Sequence, residues 1–173
     1  MRAERQFGAI GKTEEVPDSE HLAEGSDDSQ ATLFERRLAA QDEMHPGYRD
    51  AWLAFEEAVI HHGGRAVVPP MKPDPLIGLL LEEGSLVEGR SAQLVDGDRS
   101  DCHVNAARLW RSKRCDGIGT GYALSEDGLW REHSWGASNG EVVETTTRRI
   151  LYFGVLMSDE RAAWFADWID PVT

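Results

Sequence analysis

The chain has 173 residues, with 31 acidic and 18 basic side chains and a formal net charge of -13. This length fits one domain of about 100–150 residues and a tail. Phosphate binding needs clustered Lys and Arg, so the charge balance argues against a nucleic-acid partner. The longest aliphatic run, residues 76–81, is far shorter than the roughly 20 residues of a membrane span. With no apolar signal segment at the N-terminus, the sequence predicts a soluble, cytoplasmic protein without a membrane partner.

Residues 1–30 are predicted to form a flexible acidic tail, and residues 31–173 a single folded domain. The first segment places many carboxylates among Gly, Ser and Pro and offers only isolated apolar residues for burial. Such a composition cannot offset the entropy cost of ordering the chain. A tail of this charge is also a candidate site for a protein partner.

Apolar spacing predicts helices in the first two thirds of the domain. They cover residues 31–44, 50–62, 74–84 and 101–112, and a short strand is expected at 92–95. Asp74 and Pro75 are typical of a helix start. Ser100 is a plausible N-cap, which would make Cys102 the second residue of its helix.

Alternating apolar residues predict a four-stranded antiparallel meander after Cys115. The strands cover residues 117–124, 129–135, 141–147 and 150–157. Gly117, Gly119 and Gly121 would leave one bare sheet face, on which we expect the cysteine helix to pack. Ser158 is predicted to cap a C-terminal helix. Helices followed by an antiparallel sheet define an α+β fold.

Cys102 is the sharpest chemical feature of the sequence. A thiol near a helix N-terminus meets free backbone N–H groups and the positive end of the helix dipole, and both favour the thiolate. The same N–H groups could stabilise an oxyanion on a carbonyl that the sulfur attacks. Cys102 is therefore a candidate nucleophile.

His133 and Glu144 are predicted to meet on adjacent strands. A four-residue turn at residues 137–140 would pair them directly, whereas a turn made by Asn139 and Gly140 alone would pair Glu144 with Trp135 and leave His133 diagonal to it. Both registers put imidazole and carboxylate on one face and within reach. A nucleophilic thiol needs such a base and an acid that orients it.

This order of residues resembles the papain-like fold group, particularly its transglutaminase-like and NlpC/P60-type branches. The matching segments are 101–103 at a helix start, 132–135 and 143–145 on strands, and the resemblance spans roughly residues 90–157. It implies a peptidase, amidase or acyl transferase that needs no cofactor and acts on a peptide, amide or ester. It also implies that Cys102 is the nucleophile, His133 the general base and Glu144 the orienting acid, with Glu replacing the commoner Asp or Asn.

Three further residues are candidates for the oxyanion site or substrate pocket. The resemblance suggests Gln93, because related enzymes often take an oxyanion donor from upstream of the cysteine. His103 points about 100° from Cys102 on a helix, which favours a surface or supporting role over that of the base. Trp135, two residues from His133, could form a wall of the pocket.

Alternatives remain open at this point. The acidic chain could be a non-catalytic interaction module, or Cys102, His103, Cys115 and His133 could bind structural zinc, although their spacing lacks a CxxC or HxxxH pattern. A Cys102–Cys115 disulfide would need an oxidising compartment. For an enzyme, the field of such an acidic protein would favour neutral or cationic substrates.

Overall fold

The computed structural model describes residues 21–171, so residues 1–20 of the predicted tail lie outside the described part of the chain. The chain divides into two units, Met1–Leu33 and Phe34–Thr173, and the second unit carries the sheet and the candidate site. No helix within residues 21–171 is long and apolar enough to cross a membrane.

The described residues form five helices and seven strands. The helices are α1 (His21–Met44), α2 (Tyr48–Ile60), α3 (Ile77–Glu83), α4 (Cys102–Arg111) and α5 (Asp159–Ile169). The strands are β1 (Ala66–Val67), β2 (Ser85–Glu88), β3 (Gln93–Leu94), β4 (Gly117–Leu124), β5 (Leu129–Ser138), β6 (Glu141–Glu144) and β7 (Leu151–Met157). The α+β class is confirmed.

The sheet is larger than predicted, and its strand order is different. The order is β2-β7-β4-β5-β6-β3, with β1 attached to β5, and the β1–β5 and β3–β6 pairs are parallel. The predicted four-stranded antiparallel meander is wrong because β7 pairs with β4 and β2 instead of β6. Every residue of β4 is buried. This strand needs a hydrogen-bonding partner on each side, and β7 supplies the second one.

Helices cover one face of the sheet, where the largest core cluster lies. Trp52 and Phe55 of α2 place their rings 5.7 Å and 4.8 Å from that of Tyr122 in β4. Ile118 is fully buried in the same cluster, together with Phe165 of α5. These contacts bury the apolar stripe predicted for α2 against the sheet.

The glycines of β4 do not receive the cysteine helix, contrary to the prediction. A Cβ atom at Gly119 would lie 2.1 Å from the indole ring of Trp135, so this ring already occupies the space beside the glycine. A Cβ atom at Gly121 would lie 2.3 Å from the carbonyl oxygen of Phe153. Gly119 therefore leaves room for the Trp135 indole, and Gly121 allows the backbone of β7 to come close. Helix α4 packs on other parts of the sheet.

Four helix starts differ from the prediction, and that of α2 lies at Tyr48 instead of Asp50. Helix α1 begins at His21 instead of Ala31, ten residues earlier than predicted. Helix α3 begins at Ile77, because the Asp74 carboxylate accepts the N–H of Leu76 in a turn before the helix. Ser100 has a left-handed φ of 64°, so the N-cap of α4 is the next residue, Asp101.

Candidate active site

Cys102 is the first residue of α4 and lies half-buried at the edge of an open cleft. The helix packs against β5 and α5, which fixes the position of its N-terminus. The cleft has a volume of about 540 Å³. Its other lining residues are Arg99, Ser100, Arg131, Glu132, His133, Thr146, Thr147 and Arg149.

One edge of β5 pairs with β4, and the other edge pairs with β1 at residues 129–130 and with β6 at residues 136–138. His133 lies between these last two pairings. The β5–β6 register pairs Gly136 with Val143, as expected for the two-residue turn. Asn139 and Gly140 have φ values of 52° and 81°, which such a hairpin turn requires. The local turn sequence therefore fixes which residues of β6 come near His133.

Glu144 accepts hydrogen bonds from five groups and is fully buried. Its Oε2 atom lies 2.8 Å from Nε2 of His133 and 2.8 Å from the Tyr152 hydroxyl. Its Oε1 atom accepts the N–H groups of Thr145 and Thr146 at 2.9 and 2.8 Å and the Thr146 hydroxyl at 2.8 Å. A carboxylate with this many donors is held in one orientation and stays ionised.

The contact with Glu144 orients the imidazole of His133. His133 is itself only 2% exposed, so neither partner is solvated by bulk water. Because Nε2 faces the carboxylate, Nδ1 is the nitrogen left for the thiol of Cys102, with which the imidazole interacts. The imidazole of His133 thus interacts both with the thiol and with the carboxylate.

The electrostatics of this chain favour a thiolate beside an imidazolium. Burial raises the pKa of Cys102, but its interactions with His103 and His133 outweigh burial and lower the pKa to about 5. Burial lowers the pKa of His133, yet Cys102 and Glu144 raise it to about 9. For Glu144, the imidazole and the surrounding donors outweigh burial and bring the pKa to about 2. Between about pH 5 and pH 9, the Cys102 thiolate and the His133 imidazolium are therefore the stable forms.

His103 also interacts with the Cys102 thiol. Its Nδ1 atom lies 2.7 Å from Oγ of Ser134, whose hydroxyl donates to Oγ1 of Thr120 at 2.8 Å. Its Nε2 atom lies 3.7 Å from the Glu132 carboxylate. Burial lowers the pKa of His103, but Cys102 and then Glu132 raise it above the ordinary value. His103 therefore helps to lower the pKa of the Cys102 thiol, a role that the sequence did not indicate.

None of the three residues predicted for the oxyanion site or the pocket lines the cleft, and His103 lines a separate, smaller cavity instead. Gln93 is exposed on the short edge strand β3, beside Val143 of β6. Trp135 is buried behind His133, with ring centroids 6.4 Å apart, and also packs against Tyr152 at 5.0 Å. Trp135 supports the imidazole from the core and does not form a pocket wall.

The sequence patterns did not point to five of the cleft residues: Arg99, Arg131, Thr146, Thr147 and Arg149. Four of them lie outside regular helices and strands, on segments that come together only when the sheet is assembled. Arg131 and His133 are two residues apart on β5, so both side chains lie on the same face of the strand. The predicted strand could therefore have indicated Arg131. The two loop arginines carry no comparable signal.

The metal and disulfide alternatives find no support in the described residues. Cys102 and Cys115 are both free. Cys115 is buried in a separate cluster with Leu109 and Val143. Within residues 21–171, no group of three or more His, Cys, Asp or Glu side chains is arranged to hold a metal ion.

No family model, curated protein or solved structure matches the chain. What can be said about its function therefore rests on the chemistry of the residues around Cys102.

Proposed function

We propose that this protein is a cysteine-dependent amide or ester hydrolase or acyl transferase, with Cys102 as nucleophile, His133 as general acid and base, and Glu144 as the orienting acid. One observation carries the proposal: a half-buried thiol in an open cleft interacts with an imidazole whose far nitrogen contacts a buried carboxylate. Nucleophile, base and orienting acid are the parts that covalent acyl transfer needs.

The proposed reaction begins when the Cys102 thiolate attacks the carbonyl carbon of an amide or ester. The carbon–nitrogen or carbon–oxygen bond breaks, the leaving group takes a proton from the His133 imidazolium, and a thioester remains on the sulfur. Water or an amine then attacks the thioester and gives a proton to His133, and the thiolate leaves. Water yields a carboxylic acid, and an amine yields a new amide.

The N-terminus of α4 supports this chemistry electrostatically. The first backbone N–H groups of a helix have no acceptor within the helix and point towards its N-terminal end. Because Cys102 is the first residue of α4, its own backbone N–H is one of these groups. They are the groups we assign to the oxyanion of the tetrahedral intermediate, in place of Gln93.

The proposal includes the papain-like architecture suggested by the order of the three residues. The supporting features are a cysteine at the start of α4, a histidine on β5 and a carboxylate at the end of β6. The strands β4, β5 and β6 are consecutive neighbours in the sheet.

Acylation by p-nitrophenyl acetate tests the function without a known substrate. We expect a burst of p-nitrophenol, an acetyl group on Cys102 by mass spectrometry, and slow loss of that group to water or to an added amine. Cys102→Ala should abolish the burst, and His133→Gln and Glu144→Gln should slow both acylation and deacylation. Cys115→Ala serves as the matched control and should behave as wild type. Stable acetyl-Cys102 that neither water nor amine removes would contradict the proposal.

A further inference from the structure

The cleft beside Cys102 is positively charged, in contrast to the rest of the chain. Three arginines, Arg99, Arg131 and Arg149, line it with a single carboxylate, Glu132. The whole sequence has 31 acidic and only 18 basic residues, so this local balance is opposite to the global one. Glu132 is also 3.7 Å from His103, so part of its charge is already compensated.

The three guanidinium groups differ in how much of their bonding capacity is used. Arg131 forms an ion pair with Asp127, with contacts of 2.7 and 2.9 Å. Arg149 donates from Nη1 to the Ser125 hydroxyl at 2.7 Å, while its Nε atom is buried without a hydrogen-bond partner. Arg99 is exposed and forms no ion pair with a described residue.

A buried N–H group without an acceptor is costly, since it has lost its water and gained no partner. The Nε of Arg149 belongs to a side chain that lines the cleft. An anion in the cleft would supply an acceptor for a guanidinium group, and Arg is the side chain best suited to bind carboxylates through paired N–H donors. The hydroxyls of Ser100, Thr146 and Thr147 line the same cleft and can donate to an anion as well.

We propose that the substrate carries an anionic group, such as a carboxylate, which Arg99, Arg131 and Arg149 hold while Cys102 attacks the neighbouring carbonyl. This inference rests on the proposed function, because it assigns the substrate class of the same cleft. It reverses the expectation from net charge, which favoured neutral or cationic substrates. The distant acidic residues act through solvent and salt, whereas the arginines lie next to the thiol.

Two alkylating agents that differ mainly in charge test this selectivity. Iodoacetate carries a carboxylate and iodoacetamide does not, and both transfer a two-carbon group to sulfur with loss of iodide. The measurement is the ratio of their rate constants at Cys102, in a Cys115→Ala background at pH 7 and low salt. We expect Arg99→Gln to lower the iodoacetate-to-iodoacetamide ratio about fivefold, since one unit charge near the thiol is removed. The double variant with Arg131→Gln should lower it further.

The matched control is Arg114→Gln, which makes the same change in net charge. Arg114 follows the C-terminal end of α4 and lies outside the cleft around Cys102. The iodoacetate-to-iodoacetamide ratio of Arg114→Gln should stay within twofold of the wild-type ratio. An unchanged ratio in Arg99→Gln and in the double variant would overturn the proposal, as would an equal fall in Arg114→Gln, which would indicate only a long-range field.

Protection experiments at constant ionic strength provide a second measurement. Glutarate or inorganic phosphate should slow the reaction of iodoacetamide with Cys102, and the uncharged glutaramide should not. Protection by glutarate alone identifies a carboxylate and protection by phosphate a phosphoryl group, whereas equal protection by glutaramide would overturn the role of charge. Because the rate ratio needs only a reactive thiol, failure of the acyl-transfer proposal would appear separately, as missing turnover of p-nitrophenyl acetate.

Discussion

Nε2 of His133 lies 2.8 Å from Oε2 of Glu144, and this contact joins β5 and β6 beyond their last backbone pair, Gly136 with Val143. Both side chains are almost completely buried. A buried carboxylate is costly unless it is paired, so the sheet can hold Glu144 only together with its donors. The pair therefore serves structure and chemistry at once, and both roles can be measured.

The pH profile of thiol alkylation should distinguish Cys102 from Cys115. With a pKa of about 5, Cys102 should reach half of its maximal rate with iodoacetamide near pH 5. Burial raises the pKa of Cys115 above its ordinary value of 9.0, so this thiol should remain unreactive through neutral pH. At pH 6 an ordinary thiol of pKa about 9 is only about 0.1% thiolate. Peptide mass spectrometry after timed labelling measures the two sites separately.

The shape of this profile is more informative than the rate at pH 7. A thiolate of low pKa is intrinsically less nucleophilic, and this loss offsets much of its greater abundance at neutral pH. A single labelling rate near that of free cysteine would therefore be compatible with an activated thiol. A midpoint at pH 8 or above for Cys102 would contradict the thiolate assignment.

Removing either histidine should raise the pKa of the Cys102 thiol. His103→Gln and His133→Gln each delete one favourable interaction, so each should move the alkylation midpoint upward. The double variant should have a higher midpoint than either single variant, because burial, which raises the pKa, is then opposed only by the N-terminus of α4. His61→Gln, at the exposed C-cap of α2, is the control. Midpoints equal to wild type in both single variants would show that the imidazoles do not control the thiol.

Replacing Glu144 should destabilise the fold. Glu144→Ala leaves the His133 imidazolium buried without its partner, so we expect the free energy of unfolding to fall by about 3–5 kcal/mol. Glu144→Gln retains the size and part of the hydrogen bonding and should cost less. The control Glu141→Ala, exposed on the same strand, should change it by less than about 0.5 kcal/mol. Urea denaturation at pH 6 measures all three values.

The loss in free energy of unfolding caused by Glu144→Ala should depend on pH. The pKa of Glu144 falls from 4.5 to about 2 on folding, so its contribution is complete above pH 4.5 and is lost as the pH falls through 2. The pKa of His133 rises from 6.5 to about 9, so its contribution is complete below pH 6.5 and is lost as the pH rises through 9. Wild type should exceed the variant most between pH 4.5 and 6.5. A difference that grows above pH 9 would be contrary to this linkage.

Alanine should have opposite effects at two glycines. At Gly119 a Cβ atom would meet the Trp135 ring at 2.1 Å, so Gly119→Ala should lower the free energy of unfolding by about 1–3 kcal/mol and displace the indole behind His133. At Gly78, exposed in α3, a Cβ atom has nothing within 4 Å. Gly78→Ala should stabilise the protein by about 0.5–1 kcal/mol through helix propensity. Thermal unfolding followed by tryptophan fluorescence compares the two. A neutral Gly119→Ala would refute the close packing.

Local sequence patterns were sufficient to predict those parts of the fold and of the site that depend on residues close together in the chain. The α2 stripe of Trp52, Phe55 and Val59 is buried as its spacing predicts. The strand alternation and the Asn139–Gly140 turn were enough to bring His133 near Glu144, although they left two registers open. The positive φ values that this turn requires favour the two-residue form, and Asn and Gly tolerate them.

The sequence by itself thus determined the α+β class, the helix that begins close to Cys102 and the facing positions of His133 and Glu144. The tertiary structure alone decided that β7 pairs with β4, that His103 reaches the thiol together with His133, and that loop arginines surround the cleft. Periodicity and turn chemistry act over a few residues and can be recognised in a sequence. Strand partners and loop positions depend on contacts between distant segments, which form only when the whole sheet closes around its core.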